Sequence, residues 1–538
     1  MAAGPGTWQR CREMETLELL VGLLAAVAVV VRLAGRTAIP EPVLLVLAGL
    51  AVALIPGLPA VELDPELILA LFLPPLLYWA ALHTDPRELR ANLRPIAFLA
   101  IGLVVATTAA VAVLAHSLFG LPWAVAVMLG AIVSPPDPVA AVAVAGRLGL
   151  PRRMVTILEG EGLLNDATAL VLYRVAVAAA VSGTFSLGQA GVELALSGVG
   201  GTVAGLAVGF VGSRILRRVS EAPVENTVKL LMPYVAWLAA ERLHVSGVLA
   251  VLTCGLLMTR HWGSISSGAR LQARQLWDWL VFVLEGLSFV LVGVQLRTVV
   301  EGIEGRSLAD LALAAVALNL VVIAVRLALV YPASWLPRLS ARVRQRDPFP
   351  GWGWVTVIGW AGMRGVVSLA LALAIPARVE DGGPFPDRNL VVFLAFSVIV
   401  VTLVGQGLTL PLVIRRLGVA ADDEGTAGDG RRALARLSEV ALDHLDGLDP
   451  TSDGVPAELV ERLRDRYRSR LAHLDREVED DHPDGSRAFS ELVHDLLGAQ
   501  REELRRLQER GQVTREVARR LDHDLDVEEA RLEREQPA

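Results

Sequence analysis

Residues 131–140 read AIVSPPDPVA, and this stretch decides how the rest of the chain must be read. Ala131 to Val133 belong to an apolar run, but Pro135, Pro136 and Pro138 remove three backbone donors and clash with the carbonyls behind them, so a helix entering here cannot continue. A carboxylate, Asp137, sits inside the break. The span around it, 122–146, is apolar and flanked by further apolar runs. Inside a bilayer, non-helical backbone is tolerated only where it is buried in protein or lines a polar cavity.

The composition agrees with a membrane setting. The 538 residues are 53% hydrophobic and 20% charged, with a mean hydropathy of +0.50, values that soluble domains of this length do not reach. The apolar surplus runs from Leu17 to Leu417, and Ala421 to Ala538 is densely charged. Three regions are expected: a leader over 1–14, a membrane body over 15–418 and a cytoplasmic helical tail over 419–538. The leader is polar and aperiodic, so Met14 is the expected initiator, and the first apolar run reads as a retained helix, not a cleaved signal. The formal net charge of -7 comes from mixed acids and bases, with Lys229 the sole lysine, which gives no nucleic-acid signature. Cys11 and Cys254 are the only cysteines and lie far apart, so packing roles are expected in place of a disulfide or a cysteine metal site. No Walker-type loop and no HExxH motif occurs, which argues against a nucleotide-driven pump and a zinc protease.

At roughly 20 residues per crossing, the body divides into about thirteen spans. Alternate connections are rich in arginine: Arg32 and Arg36, then Arg87, Arg90 and Arg94, then Arg147, Arg152 and Arg153, and onward to Arg338, Arg342, Arg344 and Arg346. The positive-inside rule makes these cytoplasmic, with the N-terminus outside and the tail inside a bacterial inner membrane.

Charges inside hydrocarbon are costly, so each that survives in a span is a functional candidate. At 1.5 Å per residue, Asp166 lies roughly 20 Å along its span from the cytoplasm, Asp137 roughly 22 Å along the span that begins at Pro122, and Arg364 roughly 18 Å from its cytoplasmic end. Glu161, Glu285 and Arg326 fall in the same zone. Trp360-Ala361-Gly362-Met363-Arg364-Gly365 is a second place where backbone can unwind, with Gly362 and Gly365 around the buried arginine. The two interruptions lie seven spans apart, and an odd offset reverses direction. Two inverted six-helix repeats with interrupted helices 5 and 12 are therefore expected, an arrangement that points to a transporter site.

Charge pairing then suggests the cargo. Glu161 is expected to pair with Arg364, and Glu285 with Arg326, both as scaffold, which leaves Asp137 and Asp166 without fixed partners and open to a small cation. Desolvation and mutual repulsion favour protonation of paired carboxylates, so protons should compete for the same oxygens. Asn165 shares a helix face with Glu161 and is expected to orient it. Asp137 before Pro138 also has the form of a helix cap.

These motifs resemble the bacterial sodium/proton antiporters of the monovalent cation:proton antiporter family, the NhaP type related to eukaryotic sodium/proton exchangers. The resemblance rests on Leu73–Tyr78 (LPPLLY), Ser134–Ala140 (SPPDPVA), Glu159–Ala167 (EGEGLLNDA) and Gly362–Ser368 (GMRGVVS) in that order. It implies Asp166 as the essential ion and proton ligand, Asp137 as its partner, Glu161 with Arg364 as a stabilising pair beside Asn165, and no cofactor. It also implies a homodimer, a core domain moving against a dimerisation domain, and electroneutral exchange of Na+, or of Li+ or K+, for H+. Three positions depart from the pattern: Pro136 where relatives often have Thr, Gly162 where Ser is common, and Trp79 where some have an acid. Each removes an oxygen, which leaves the preferred ion open. The rival readings are a cation channel without proton coupling and, behind it, a membrane enzyme.

The tail reads as amphipathic helices with leucines at three- and four-residue spacing over Glu458–Val478 and Phe489–Leu507. Its histidines, His444, His473, His482, His494 and His523, titrate near neutrality and suggest a reporter of cytoplasmic acidity.

Overall fold

A computed structural model describes residues 21–476 except 38, 56–64, 85, 183–186, 220, 260–266, 296–298, 300–306, 377, 380–382, 420–422 and 448–456, together with isolated positions between 498 and 525. The leader expected over 1–14, Cys11 and most of the tail beyond 476 lie outside the described residues. The chain forms two compact units, Met1–Ala421 and Asp422–Ala538.

The first unit is helical, as lipid requires, because a helix satisfies its own backbone groups where no water can. Its principal helices are α1 Val21–Ala34, α2 Glu41–Ala53, α3 Pro65–His83, α4 Leu93–Phe119, α5 Trp123–Val133, α6 Pro138–Leu148, α7 Arg152–Ser182 and α8 Leu187–Leu216. They are followed by α9 Ala222–Arg242, α10 Gly247–Thr259, α11 Ser267–Val294, α12 Leu308–Trp335, α13 Trp352–Trp360, α14 Val366–Leu373 and α15 Arg388–Leu417. Among the described residues, 7 helical segments are long and apolar enough to cross a membrane, one of them the interrupted α5–α6 run, and four shorter helices are apolar. Two of the long helices carry π-helical turns, Phe98–Leu103 in α4 and Val401–Gln406 in α15.

Close packing relies on glycines, since apolar side chains gain nothing by leaving lipid and contact depends on how near backbones approach. A side chain on Gly201 or Gly205 of α8 would collide with the Ser246 and Ala250 carbonyls at the start of α10, and Gly209 lies against Cys254. Cys254 is a buried free thiol in that seam. Gly49 of α2 and Gly293 of α11 face each other in the same manner. The opposite faces are greasy and exposed, with Val192, Leu196, Val199 and Val203 on α8 and Leu313, Val316 and Leu320 on α12. Such faces suit acyl chains.

On the side rich in arginine, Asp347 ties two connections together. It accepts from Arg153 at 2.8 Å and from Arg338 at 2.7 Å, and these guanidinium groups hold its carboxyl below the usual carboxylate range. Arg153 also donates to Asn92 at 2.9 Å, and Thr156 donates to Glu88 at 2.9 Å.

In the second unit, α16 Asp423–Asp446 and α17 Ala457–Arg476 pack together over Ser438, Leu445 and Val460, with Arg464 donating to Asp446 at 2.9 Å. His444 is exposed on α16, and the other tail histidines lie outside the described side chains.

Candidate functional site

Both expected interruptions are present, and they meet. α5 stops at Val133, Ser134 to Asp137 is non-helical, and α6 restarts at Pro138, whose missing N–H costs nothing at the first helical position. α13 stops at Trp360, and α14 restarts at Val366. The Asp137 amide donates to the Met363 carbonyl at 2.6 Å, so the two loosened strands bond directly.

Four half-helix ends converge at this crossing, and side chains of matching charge face them. Arg364 donates from Nε to the Val133 carbonyl at 2.9 Å, the last of α5, and from Nη1 to the Gly362 carbonyl. Arg326 of α12 reaches the Gly359 and Ile358 carbonyls at the end of α13, both at 3.2 Å. Cations at helix C-termini oppose the partial negative charge there. Asp137 serves the other polarity: its Oδ1 accepts from the Val139 amide at 2.9 Å, capping α6. A Cβ on Gly365, the N-cap of α14, would collide with Asp137 Oδ2, so the same carboxylate also fronts α14. Only glycine fits there.

The ion pairing differs from the sequence expectation. Glu161 is bound by Arg326, Nη1 to Oε1 at 2.6 Å and Nη2 to Oε2 at 2.9 Å, with both side chains about 1% exposed. The expected Glu161–Arg364 pair is thus replaced, and so is Glu285–Arg326. Depth along a span cannot separate two arginines at one level. Direction does: Arg326 projects from an unbroken helix onto Glu161, whereas Arg364 leaves a non-helical strand and turns to the α5 carbonyls. Arg364 is 1% exposed and has no carboxylate partner among the described residues, although it lies within electrostatic reach of Arg326 and Glu161. Glu285 on α11 is half-buried, has no ion pair among the described residues, and lies within electrostatic reach of Asp137 and Glu41.

Asn165 does not orient Glu161; its Nδ2 donates to the Pro136 carbonyl at 2.7 Å and so ties α7 to the break. Its Oδ1 is buried without a partner among the described residues. Asp166, the next residue, is half-buried and feels the charge of Asp137. The bond from Asn165 to Pro136 thus joins the sequence neighbours of Asp166 and Asp137. Of the three departures from the family pattern, Gly162 is explained by space, since a Cβ there would collide with the Pro138 ring. Trp79 stacks on Trp277 with centroids 5.5 Å apart, an aromatic contact in place of an acid.

Sequence reasoning missed Thr402 of α15, which accepts from the Arg364 amide at 3.1 Å and holds the second interruption open. A lone threonine in an apolar span carries no signal of its own.

The family described as sodium/hydrogen exchanger, transmembrane, matches residues 22–416. An uncharacterized Na+/H+ exchanger of Mycobacterium tuberculosis is 38% identical over 528 residues, covering 96% of both chains. A sodium, potassium, lithium and rubidium/H+ antiporter of Bacillus pumilus is 33% identical over 453 residues, 82% of this chain and 66% of that one. Among solved structures, the sodium proton antiporter MjNhaP1 of Methanocaldococcus jannaschii superposes with a TM-score of 0.59 at 19% identity, covering 75% of this chain and 99% of that one.

Proposed function

This chain belongs to the sodium/hydrogen exchanger family, a multi-pass membrane exchanger of cations for protons, and we propose that Asp166 and Asp137 form the site where the two cargoes compete. The observation that carries this reading is the charge left at the crossing. Glu161 and Arg326 cancel each other. Asp137 and Asp166 then neighbour each other, with Arg364 turned to the Val133 carbonyl and Glu285 within electrostatic reach of Asp137, so negative charge is in excess at the crossing. A proton or a monovalent cation offsets that excess. Two neighbouring carboxylates inside the membrane body resist being bare together, so either cargo is held at the expense of the other. One-for-one, electroneutral exchange is the stoichiometry the family resemblance suggests.

In this reading Asp166 and Asp137 ligate Na+, with Li+ or K+ as alternatives, and Asn165 completes the site while fixing the break at Pro136. Glu161 with Arg326, and Arg364 with Thr402, keep the half-helix ends in place. Alternating access exposes the crossing to one side of the membrane at a time. No cofactor takes part, because the reaction moves ions and breaks no covalent bond. The topology that goes with it has thirteen crossings in two inverted repeats, the N-terminus outside and the tail in the cytoplasm of a bacterial inner membrane. The alternation of arginine-rich connections supports it. A homodimer is the assembly the family resemblance suggests.

The test is dequenching of a pH-sensitive dye in inverted membrane vesicles on adding Na+, Li+ and K+ in turn. The wild-type chain should dissipate the proton gradient with at least one of them, and Asp166→Asn with none. Cation-dependent conductance without proton movement would overturn the proposal.

A further inference from the structure

We propose that the Ser368 hydroxyl is an oxygen ligand of the transported cation and helps set which alkali ion is preferred; this rests on reading Asp137 and Asp166 as the ion site. Ser368 is buried at 1% exposure, and its Oγ has no hydrogen-bond partner among the described residues. A serine or threonine in a membrane helix ordinarily bonds the carbonyl one turn back. Ser288 does so to Leu284, Thr253 to Leu249 and Thr402 to Val398, each at 2.7 Å. For Ser368 the residue one turn back is Arg364, which lies in the non-helical strand before α14. That outlet is missing.

Position supplies the direction. With Gly365 as N-cap, Ser368 is the third residue of α14. N-cap and third residue lie one above the other, which is why capping boxes form between them. The N-cap here has no side chain, and the place its Cβ would take is filled by Asp137 Oδ2. The register of the first turn thus sets Ser368 above Gly365, the residue that the Asp137 carboxylate fronts. On the α7 side, Asn165 Oδ1 is a second buried oxygen without a partner among the described residues. A hydroxyl can point a lone pair at a cation while its proton turns away, as a bare carboxylate neighbour permits.

The α6–α7 side of the crossing offers few neutral side-chain oxygens. Pro136 has no hydroxyl, and Gly162 cannot be replaced by serine without displacing the Pro138 ring. Ser368 supplies a neutral oxygen from the opposite half of the crossing.

The experiment measures half-saturating Na+, Li+ and K+ by dye dequenching in inverted vesicles for wild type, Ser368→Ala and Ser368→Thr, with Asp166→Asn alongside. Ser368→Ala should raise the half-saturating concentration of the preferred ion about tenfold, leave the maximal rate within about twofold, and change the ratios among the three ions. Ser368→Thr, which keeps the hydroxyl, should stay within about threefold of wild type. If Ser368→Ala does not reach the membrane, Ser368→Cys, of similar size but with a sulfur that ligates alkali ions poorly, takes its place with the same expectations. Unchanged half-saturation for all three ions in a variant without the hydroxyl would overturn the inference. If Asp166→Asn is meanwhile inactive, the ion site stands and only Ser368 falls. If Asp166→Asn still transports, the premise itself is wrong.

Discussion

Replacing Glu161 by glutamine should destabilise the membrane body far more than a surface change does, and the loss should be traceable to Arg326. Both side chains are about 1% exposed and joined through two bonds of 2.6 and 2.9 Å. Removing one partner leaves a buried guanidinium with only the Ile358 and Gly359 carbonyls. Breaking a buried pair from one side costs about 3–5 kcal/mol. With an unfolding entropy of about 2.1 cal/mol/K per residue over about 400 residues, that corresponds to roughly 4–6 °C in Tm. Substituting both partners, as Glu161→Gln with Arg326→Gln, removes the stranded charge and should recover about half of the loss or more. Pairing Glu161→Gln with Arg364→Gln should not, because Arg364 is held by Val133 and Gly362 carbonyls instead. The assay is thermal unfolding of detergent-solubilised protein followed by size-exclusion fluorescence, run as two double-mutant cycles. Coupling to Arg364 equal to or larger than coupling to Arg326 would refute the assignment of partners.

Gly365→Ala should abolish transport, because the added methyl needs the space of Asp137 Oδ2, and an inactive variant that still folds by size exclusion is the expected result. Gly162→Ser should lower the vesicle rate about tenfold or more through its clash with Pro138. Adding Pro138→Ala should relieve part of that loss. Asp347→Asn should cost under about 1 kcal/mol at neutral pH, since the carboxylate is a third exposed and its gain is screened. Its depressed folded pKa means the contribution is present above the unfolded value near 3.9 and disappears as pH falls through the lower folded value. A Tm difference between wild type and Asp347→Asn that persists at neutral pH and vanishes in strong acid is the outcome to look for.

The interruptions were legible in the sequence because proline and glycine act locally: Pro135, Pro136 and Pro138 forbid a continuous ladder whatever surrounds them. The buried charges were legible for a similar reason, as each is anomalous in its own span. What depth and local chemistry could not supply was direction. Arg326 and Arg364 occupy one level, and only the three-dimensional crossing decides which of them meets Glu161. Asn165 shows the same limit, since helix spacing puts it beside Glu161, yet its amide is drawn to the Pro136 carbonyl that the broken helix leaves free. Thr402 and Ser368 are ordinary residues in apolar runs. Their roles depend on which backbone amide or carboxylate another helix presents to them.

If proton and metal ion occupy the same carboxylates in turn, purified protein titrated in weak buffer with NaCl should exchange one for the other, with bound sodium and released protons both recorded. Proton release that rises in step with sodium bound, and is lost with the binding in Asp166→Asn, is the predicted result. Sodium bound to wild type with no protons released would contradict it.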